Sequence, residues 1–186
     1  MKQPFSNRRF EELALPHLDA AFNLARVLTR NDADAEDVVQ DAYVRAYRFF
    51  DGFRGGDPRP WLLAIVRNAC FTWLRSNRQA ELVDGYHENE SIESDYVLGA
   101  QSAANPEVLL LKSLDRTMLN VAIDALPAVF REVLMLRELD GCAYRDIARI
   151  IDAPIGTVMS RLARARRLLR QSLQVVVTAS ESKAQK

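Results

Sequence analysis

The residues best suited to chemistry lie near the C-terminus, where cationic and hydroxyl side chains recur at helical spacing. At about 100° per residue, the narrow apolar side of a helix over about 157–172 consists of Val158, Leu162, Ala165 and Leu169. The broad opposite side consists of Thr157, Ser160, Arg161, Arg164 and Arg167. Arginines can bind guanine edges and phosphates in a DNA major groove, and hydroxyls can bind either. The pattern therefore predicts a helix face that contacts duplex DNA.

The stretch before this helix decides between DNA contact and the alternative interpretation, an ordinary solvated basic face. Residues 144–152 have the pattern of a short helix, whose predicted buried side is Ile147, Ala148 and Ile151. A turn with Pro154 and Gly156 follows it. Two helices joined by a three- to four-residue turn form a helix-turn-helix, and such motifs usually place the second helix in the major groove. This context favours DNA contact.

A second combination, aromatic residues interleaved with arginines, lies in the N-terminal half. The aromatic members are Phe49, Phe50, Phe53, Trp61, Phe71 and Trp73, and the cationic members are Arg45, Arg48, Arg54, Arg59, Arg67, Arg75 and Arg78. Such a set suits single-stranded nucleic acid, where each stacked base contributes ~1–3 kcal/mol. The alternative is a plain apolar core, because Trp61 and Trp73 share the stripe of Leu62, Ile65 and Val66. Composition alone leaves both interpretations open.

A third pattern is an acidic ridge on a predicted helix, formed by Glu36, Asp37, Gln40 and Asp41. Acidic residues are common near the N-terminus of a helix, where they interact favourably with the helix dipole. The ridge is therefore either an ordinary solvated face or a docking surface for a basic partner.

The elements that position these residues are all predicted to be helices, so the fold class is all-α. A first helix over about 10–29 should start or kink at Pro16, and a second should follow Asn31. After a Gly- and Pro-rich loop over 51–58, a third helix should begin with Asp57 as its cap and end near Gln79. Farther on, Pro127 should open a helix that ends just before Gly141.

Charge divides the chain into segments although its formal net charge is zero. Residues 1–80 hold 12 Lys and Arg against 10 Asp and Glu, residues 81–116 hold 2 against 8, and residues 117–186 hold 11 against 7. We therefore expect a helical domain over 1–80, an acidic linker over 81–112, a helix-turn-helix domain over 113–175 and a flexible tail over 176–186. Two basic ends separated by an acidic middle are typical of nucleic-acid contact.

The sequence contains no catalytic constellation, so we expect no enzymatic activity, no cofactor and no small-molecule substrate. It has neither a phosphate-binding loop before a helix nor a Ser-His-Asp or Cys-His arrangement. His17 and His87 are too far apart in sequence to indicate a metal site with Cys70 or Cys142, and we expect both cysteines to be buried small hydrophobes. The N-terminus lacks a signal peptide and no segment is apolar enough to insert into a membrane, which predicts a cytoplasmic protein.

Three segments resemble extracytoplasmic-function (ECF) sigma factors, the small RNA polymerase sigma subunits of the sigma-70 superfamily. They are DAEDVVQDAYVRAYRFF from Asp34, FRGGDPRPWLLAIVRNACFTWLR from Phe53, and LPAVFREVLMLRELDGCAYRDIARIIDAPIGTVMSRLARARRLLR from Leu126. The resemblance covers most of residues 10–173 and leaves out the linker and the tail. It implies a sigma-2-like domain followed by a sigma-4-like domain.

The resemblance also implies roles for particular residues. The acidic ridge would dock on the β′ clamp helices of core RNA polymerase, and the β flap would be a further contact on the polymerase. Residues that would bind the −10 promoter element, with one base flipped into a pocket, are Phe53, Leu63, Ile65, Arg67, Asn68, Arg75 and Arg78. The 157–170 helix would read the −35 element through Thr157, Ser160, Arg161, Arg164 and Arg167. The linker would follow the RNA path, and an anti-sigma factor would control the protein.

One departure concerns the loop before Trp61, where the family often has Ser or Ala and an aromatic residue. Here the loop reads Asp57-Pro58-Arg59-Pro60, and two prolines stiffen it. The position of the base pocket is therefore better defined than its base preference.

Two other classes of function remain as alternatives at this stage. One is a helix-turn-helix transcriptional regulator that acts without core polymerase; the aromatic and basic N-terminal half and the lack of a dimerisation heptad disfavour it. The other is a sigma-factor mimic that sequesters regulators, which the intact basic helix disfavours.

Overall fold

The computed structural model describes the backbone over residues 4–83 and 117–184, and side chains over 8–77 and 117–174. Within these ranges the chain is helical and contains no strand, which confirms the all-α prediction. No helix in the same ranges is long and apolar enough to cross a membrane. Most of the predicted acidic linker falls outside the described residues.

The first predicted helix is divided in two at its proline. Helix α1 spans Pro4–Ala14, a 3-10 turn spans Leu15–His17, and α2 spans Leu18–Thr29. Pro16 lies inside the turn, as expected for a residue that has no N–H to donate and that crowds the preceding turn. Arg30 then ends α2 in the left-handed conformation, with a φ of 64°.

The next two helices start at side-chain caps. Helix α3 spans Asp32–Phe49, and the Oδ1 of Asn31 accepts a hydrogen bond from the backbone N–H of Asp34 at 3.1 Å. Helix α4 spans Pro58–Val83, and the Oδ1 of Asp57 accepts one from the N–H of Arg59 at 3.0 Å. The predicted cap at Asp57 is confirmed, whereas the helix continues four residues beyond the expected end at Gln79.

The second half is a group of four helices that includes the predicted helix-turn-helix. Residues 117–124 form α5, α6 spans Ala128–Leu134, α7 spans Tyr144–Ile151, and α8 spans Ile155–Ala184. A three-residue turn joins α7 to α8 and includes Asp152, whose φ is 50°. Helix α8 extends well past the expected end at 172.

The end of α6 departs from a regular α-helix. Met135–Leu139 forms a π-helical turn, closed by a hydrogen bond from the N–H of Asp140 to the carbonyl oxygen of Met135 at 3.1 Å. Gly141 follows with a φ of 63°, a conformation in which glycine carries no steric penalty. The predicted stop before Gly141 is confirmed, whereas nothing in the apolar pattern indicates the wider turn.

The two halves pack directly against each other. Helices α2, α3 and α4 form a three-helix bundle, α7 packs on α4, and α6 packs on α2. One continuous cluster of buried residues includes Leu63 and Cys70 of the first half together with Val133 and Ile147 of the second. The two halves therefore share one cluster of buried residues, which we call the shared core, while a second cluster that includes Phe10 and Phe50 lies in the first half alone.

Both cysteines lie in this shared core as free thiols. Burial raises the pKa of the Cys70 thiol to about 12, and it also raises the pKa of Cys142. The expectation that they are buried small hydrophobes is confirmed.

Asp140 belongs to a polar contact between the halves. The Nη2 of Arg59, at the start of α4, donates to the carbonyl oxygen of Asp140 at 2.8 Å and lies 3.5 Å from its Oδ1. The Oδ2 of Asp140 is buried and has no hydrogen-bond partner among the described residues. Burial raises the pKa of Asp140 to about 6, although the positive charge of Arg59 acts in the opposite direction.

The raised pKa predicts how stability depends on pH. The folded protein binds a proton at Asp140 more tightly than the unfolded chain does, so protonation of Asp140 stabilises the fold. This contribution to the free energy of unfolding is fully present below about pH 4 and is lost as pH rises through 6. The variant Asp140→Asn removes the charge and should increase the free energy of unfolding at pH 7.5 by on the order of 1 kcal/mol, after allowance for solvent screening. Urea denaturation at several pH values measures this gain, which should shrink as pH falls toward 4.

Asp146→Asn is the matched control, because the half-buried Asp146 is paired with the exposed Arg149 within α7. It should give no pH-dependent gain. An Asp140→Asn protein that is no more stable than the native protein at pH 7.5 contradicts the argument.

Candidate nucleic-acid interface

Helix α8 separates an apolar side from a polar side, as its sequence predicts. Val158, Leu162 and Ala165 are buried against the rest of the second half, and Leu169 is half-buried. Of the five predicted duplex-contacting residues, Ser160, Arg164 and Arg167 are exposed, while Thr157 and Arg161 are half-buried. The guanidinium of Arg164 also lies over the ring of Phe130, 5.5 Å from its centroid. The helix-turn-helix therefore presents a basic, hydroxyl-bearing face, and Arg161 on this face has an ionic partner inside the protein.

That partner is Glu132 of α6, a carboxylate with no exposed surface. The Nη1 of Arg161 lies 3.4 Å from the Oε1 of Glu132. Arg67 of α4 binds the same carboxylate from the other half, with Nε 2.6 Å from Oε2 and Nη2 3.2 Å from Oε1. Two arginines, one from each predicted DNA surface, thus share one buried acid.

Burial of Glu132 is costly and the two arginines offset that cost. Desolvation raises the pKa of Glu132, while the hydrogen bonds from Arg67 and the charges of Arg67 and Arg161 lower it. A buried carboxylate is tolerated when it is paired and hydrogen-bonded in this way. The guanidinium of Arg67 is further held by the ring of Phe71, 4.6 Å from its centroid.

The predicted −10 residues do not form one open surface in this arrangement. Leu63 is fully buried in the shared core and Arg67 is paired with Glu132, whereas Asn68 and Arg75 are exposed on α4 and Ile65 is half-buried. Phe53 is half-buried in the loop before α4. Arg78 lies in α4 outside the residues whose side chains are described.

The aromatic residues of the first half are mostly structural. Phe10, Phe50, Phe53 and Trp61 pack on one another, with ring centroids 5.0 Å apart for Phe53 and Trp61 and 5.3 Å apart for Phe10 and Phe50. Phe49 is the exception, because 69% of its surface is exposed. The interpretation of these aromatics as core residues is confirmed for the cluster around Phe50.

The acidic ridge is exposed along α3, and a groove lies beside it. Glu36, Asp37, Gln40 and Asp41 are all exposed. Glu36 and Gln40 also line an open, mainly apolar groove between α2 and α3 with a volume of about 780 Å³. The other lining residues are Leu18, Asp19, Phe22, Val39, Tyr43, Val44, Tyr47 and Arg48. The sequence analysis did not predict this groove. The one residue that indicates it is Val44, an apolar residue on the same side of α3 as the acidic ridge.

Within residues 4–83 and 117–184, no group of three or more His, Cys, Asp or Glu side chains is arranged to hold a metal ion.

Comparisons with known proteins assign the chain to a family. Residues 13–80 match the family model of sigma-70 region 2, and residues 116–169 match that of sigma-70 region 4. The ECF RNA polymerase sigma-E factor of Escherichia coli (strain K12) is 38% identical over 148 residues, which are 77% of this chain and 76% of that protein. The chain belongs to the ECF RNA polymerase sigma factors. The resemblance seen in its sequence is confirmed.

Other relatives agree with this assignment. The ECF RNA polymerase sigma factor SigE of Mycolicibacterium smegmatis is 30% identical over 164 residues, covering 88% of this chain and 61% of that protein. The sigma factor RpoE of Bartonella quintana, solved in complex with the anti-sigma factor NepR, matches with a TM-score of 0.71 and 31% identity over 90% of this sigma factor and 98% of that chain. CnrH, solved with the cytosolic domain of CnrY, matches in fold with a TM-score of 0.60 and 24% identity, over 91% of this chain and 90% of that one.

Proposed function

We propose that this ECF sigma factor binds core RNA polymerase, recognises the −10 and −35 promoter elements and directs transcription initiation without catalysing a reaction itself. We assign −10 and polymerase contacts to residues 1–80, −35 contacts to residues 113–175, and no direct promoter contact to the acidic linker over 81–112 or the tail over 176–186. The observation that carries the proposal is the exposed basic face of α8 on a helix-turn-helix.

The −35 element is read as duplex DNA by α8. Arg164 and Arg167 are exposed and point away from the apolar side of the helix, so they can reach base edges or phosphates without rearrangement. Ser160 is exposed beside them and Thr157 lies one turn earlier, and both hydroxyls can bind base edges or phosphates. Arg161 completes the face once it leaves Glu132.

The −10 element is captured as a single strand on the outer side of α4. Asn68 and Arg75 are already exposed there, and Arg78 follows one turn later. The loop that carries Phe53 includes Gly55 and Gly56, with φ values of 90° and 92°. Leu63, Ile65 and Arg67 join this surface when the second half moves off α4.

Core polymerase docks on the acidic ridge and on the groove beside it. Glu36 and Gln40 belong to both features, so charge and apolar contact can act on one partner surface. We assign this surface to the β′ clamp helices and the second half to the β flap. An anti-sigma factor would control the protein in the cytoplasm, by analogy with the complex of RpoE with the anti-sigma factor NepR.

Initiation with purified core polymerase tests the proposal directly. On a promoter mapped from the transcript start sites that appear when the protein is overproduced, the protein should convert core polymerase into an enzyme that starts RNA at that site. Binding of the promoter without core binding and without initiation supports instead a helix-turn-helix regulator that acts alone.

Neutralising the ridge should weaken polymerase binding. The double variant Asp37→Asn/Asp41→Asn removes two exposed charges and should lower the affinity for core polymerase by about tenfold at low salt, and by less at high salt. Fluorescence titration of labelled protein with core polymerase measures this. Glu11→Gln/Glu12→Gln removes two exposed charges from α1 and should bind as the native protein does; equal losses in both variants remove the ridge from the interface.

Truncating an exposed arginine of α8 should weaken duplex binding. Arg164→Ala should cost ~1–3 kcal/mol on a −35 duplex if that side chain contacts a base, and a smaller and sequence-independent amount if it contacts a phosphate. Binding is measured at one fixed salt concentration, with Arg149→Ala on α7 as the control because its side chain is 72% exposed outside the predicted face. Native affinity in Arg164→Ala excludes that residue from readout.

A further inference from the structure

Glu132 binds two arginines at once through its carboxylate. Arg67 and Arg161 lie on helices from different halves of the chain, 94 positions apart, and each would meet nucleic acid in the proposed function. Both instead direct their guanidinium groups at one carboxylate of zero exposure. Carboxylate and phosphate are the two groups that a guanidinium binds with paired hydrogen bonds.

We propose that Glu132 is an autoinhibitory residue: it holds the sigma factor closed by binding Arg67 and Arg161, and so withholds both from promoter DNA until the two halves separate. This regulation rests on the proposed function, since it concerns the same two DNA surfaces. Opening exposes Leu63 and frees Arg67 on α4, and it frees Arg161 on α8. Closed and open states thus differ in which anion the two arginines bind.

Arg67 and Arg161 can bind the carboxylate of Glu132 or a DNA phosphate, but not both at once. The side chains of Arg67 and Arg161 are 16% and 29% exposed in the closed state, so little of either remains for a phosphate. Leu63 lies one turn before Arg67 on the same side of α4 and is fully buried in the closed state. A strand therefore cannot reach that side of α4 while Glu132 holds Arg67.

A second glutamate provides a matched control. Glu138 pairs with Arg166 of α8 at 2.6 Å, but both side chains are about half exposed and both lie in the second half. Arg166 is five residues from Arg161, or about 140° around the helix, which places it outside the predicted DNA face. Glu132→Gln and Glu138→Gln therefore remove the same charge and each releases an arginine of α8, but only Glu132→Gln releases the contact between halves.

The test uses the full-length protein without polymerase and two probes of arbitrary sequence, a 30-nucleotide single strand and a 24-base-pair duplex. Glu132→Gln should bind both probes roughly tenfold more tightly than the native protein at low salt, because one arginine is gained for each. The dependence of log K on log salt should steepen by about 0.7 on the single strand and about 0.9 on the duplex. Glu138→Gln should change either affinity by less than about twofold, as expected for an exposed pair.

The double variant Arg67→Gln/Glu132→Gln distinguishes the contribution of Arg67 to DNA binding from that of Arg161. It also guards against a folding defect, because neutral polar groups replace both partners of the buried pair. It should keep the gain on the duplex, which reports Arg161, and lose the gain on the single strand, which reports Arg67. Affinities and salt slopes of Glu132→Gln that match the native protein or Glu138→Gln overturn the proposal.

Failure of this proposal is distinguishable from failure of the sigma function. Initiation by native protein with core polymerase, together with unchanged DNA binding by Glu132→Gln, rejects the autoinhibitory contact alone. Tighter DNA binding by Glu132→Gln, together with no initiation by any form, rejects the sigma function and leaves the contact in place.

Discussion

A carboxylate that has lost all contact with water must be paired, and this constraint organises the structure around Glu132. It lies in α6 among buried neighbours such as Val133 and Leu136. It needs cations, and they come from α4 of the first half and α8 of the second. A buried charge that loses its partner is strongly destabilising, so an anion that binds the two arginines in place of Glu132 favours separation of the halves.

Apolar packing and ion pairing have different roles in this closed state. The shared core holds the two halves together, because the free energy gained by burying apolar surface scales with the buried area and does not depend on orientation. The polar contacts select the arrangement: Arg67 with Glu132 near the middle of α4, and Arg59 with Asp140 at its start. In the proposed function, polyanionic DNA would compete with Glu132 for the same two arginines. The same contacts would then connect the stability of the free protein to the surfaces that we propose for promoter DNA.

The apolar periodicity of the sequence was sufficient to predict most of the local structure of the candidate site. The buried side of α8 and the cap at Asp57 follow from spacing and residue type, whereas α8 begins at Ile155, two residues before the predicted start, so that Gly156 lies in the helix and not in the turn. Three features were not predictable in this way. The π-helical turn at 135–139 and the full length of α8 leave no mark on the apolar pattern, and the contact between Arg67 and Glu132 joins residues 65 positions apart. One signal for Glu132 did exist: it lies four residues before the buried Leu136, on the same side of the helix.

The distance between the halves in solution tests the central claim most directly. Spin labels at cysteines introduced at Arg45 of α3 and Arg149 of α7 lie on exposed positions of different halves, and the native Cys70 and Cys142 are buried with raised pKa values. Pulsed electron resonance on the free protein should give one narrow distance distribution, and Glu132→Gln should add a broad population at longer distance. A native distribution as broad as that of Glu132→Gln, or a variant distribution as narrow as the native one, contradicts the claim that Glu132 holds the two halves together.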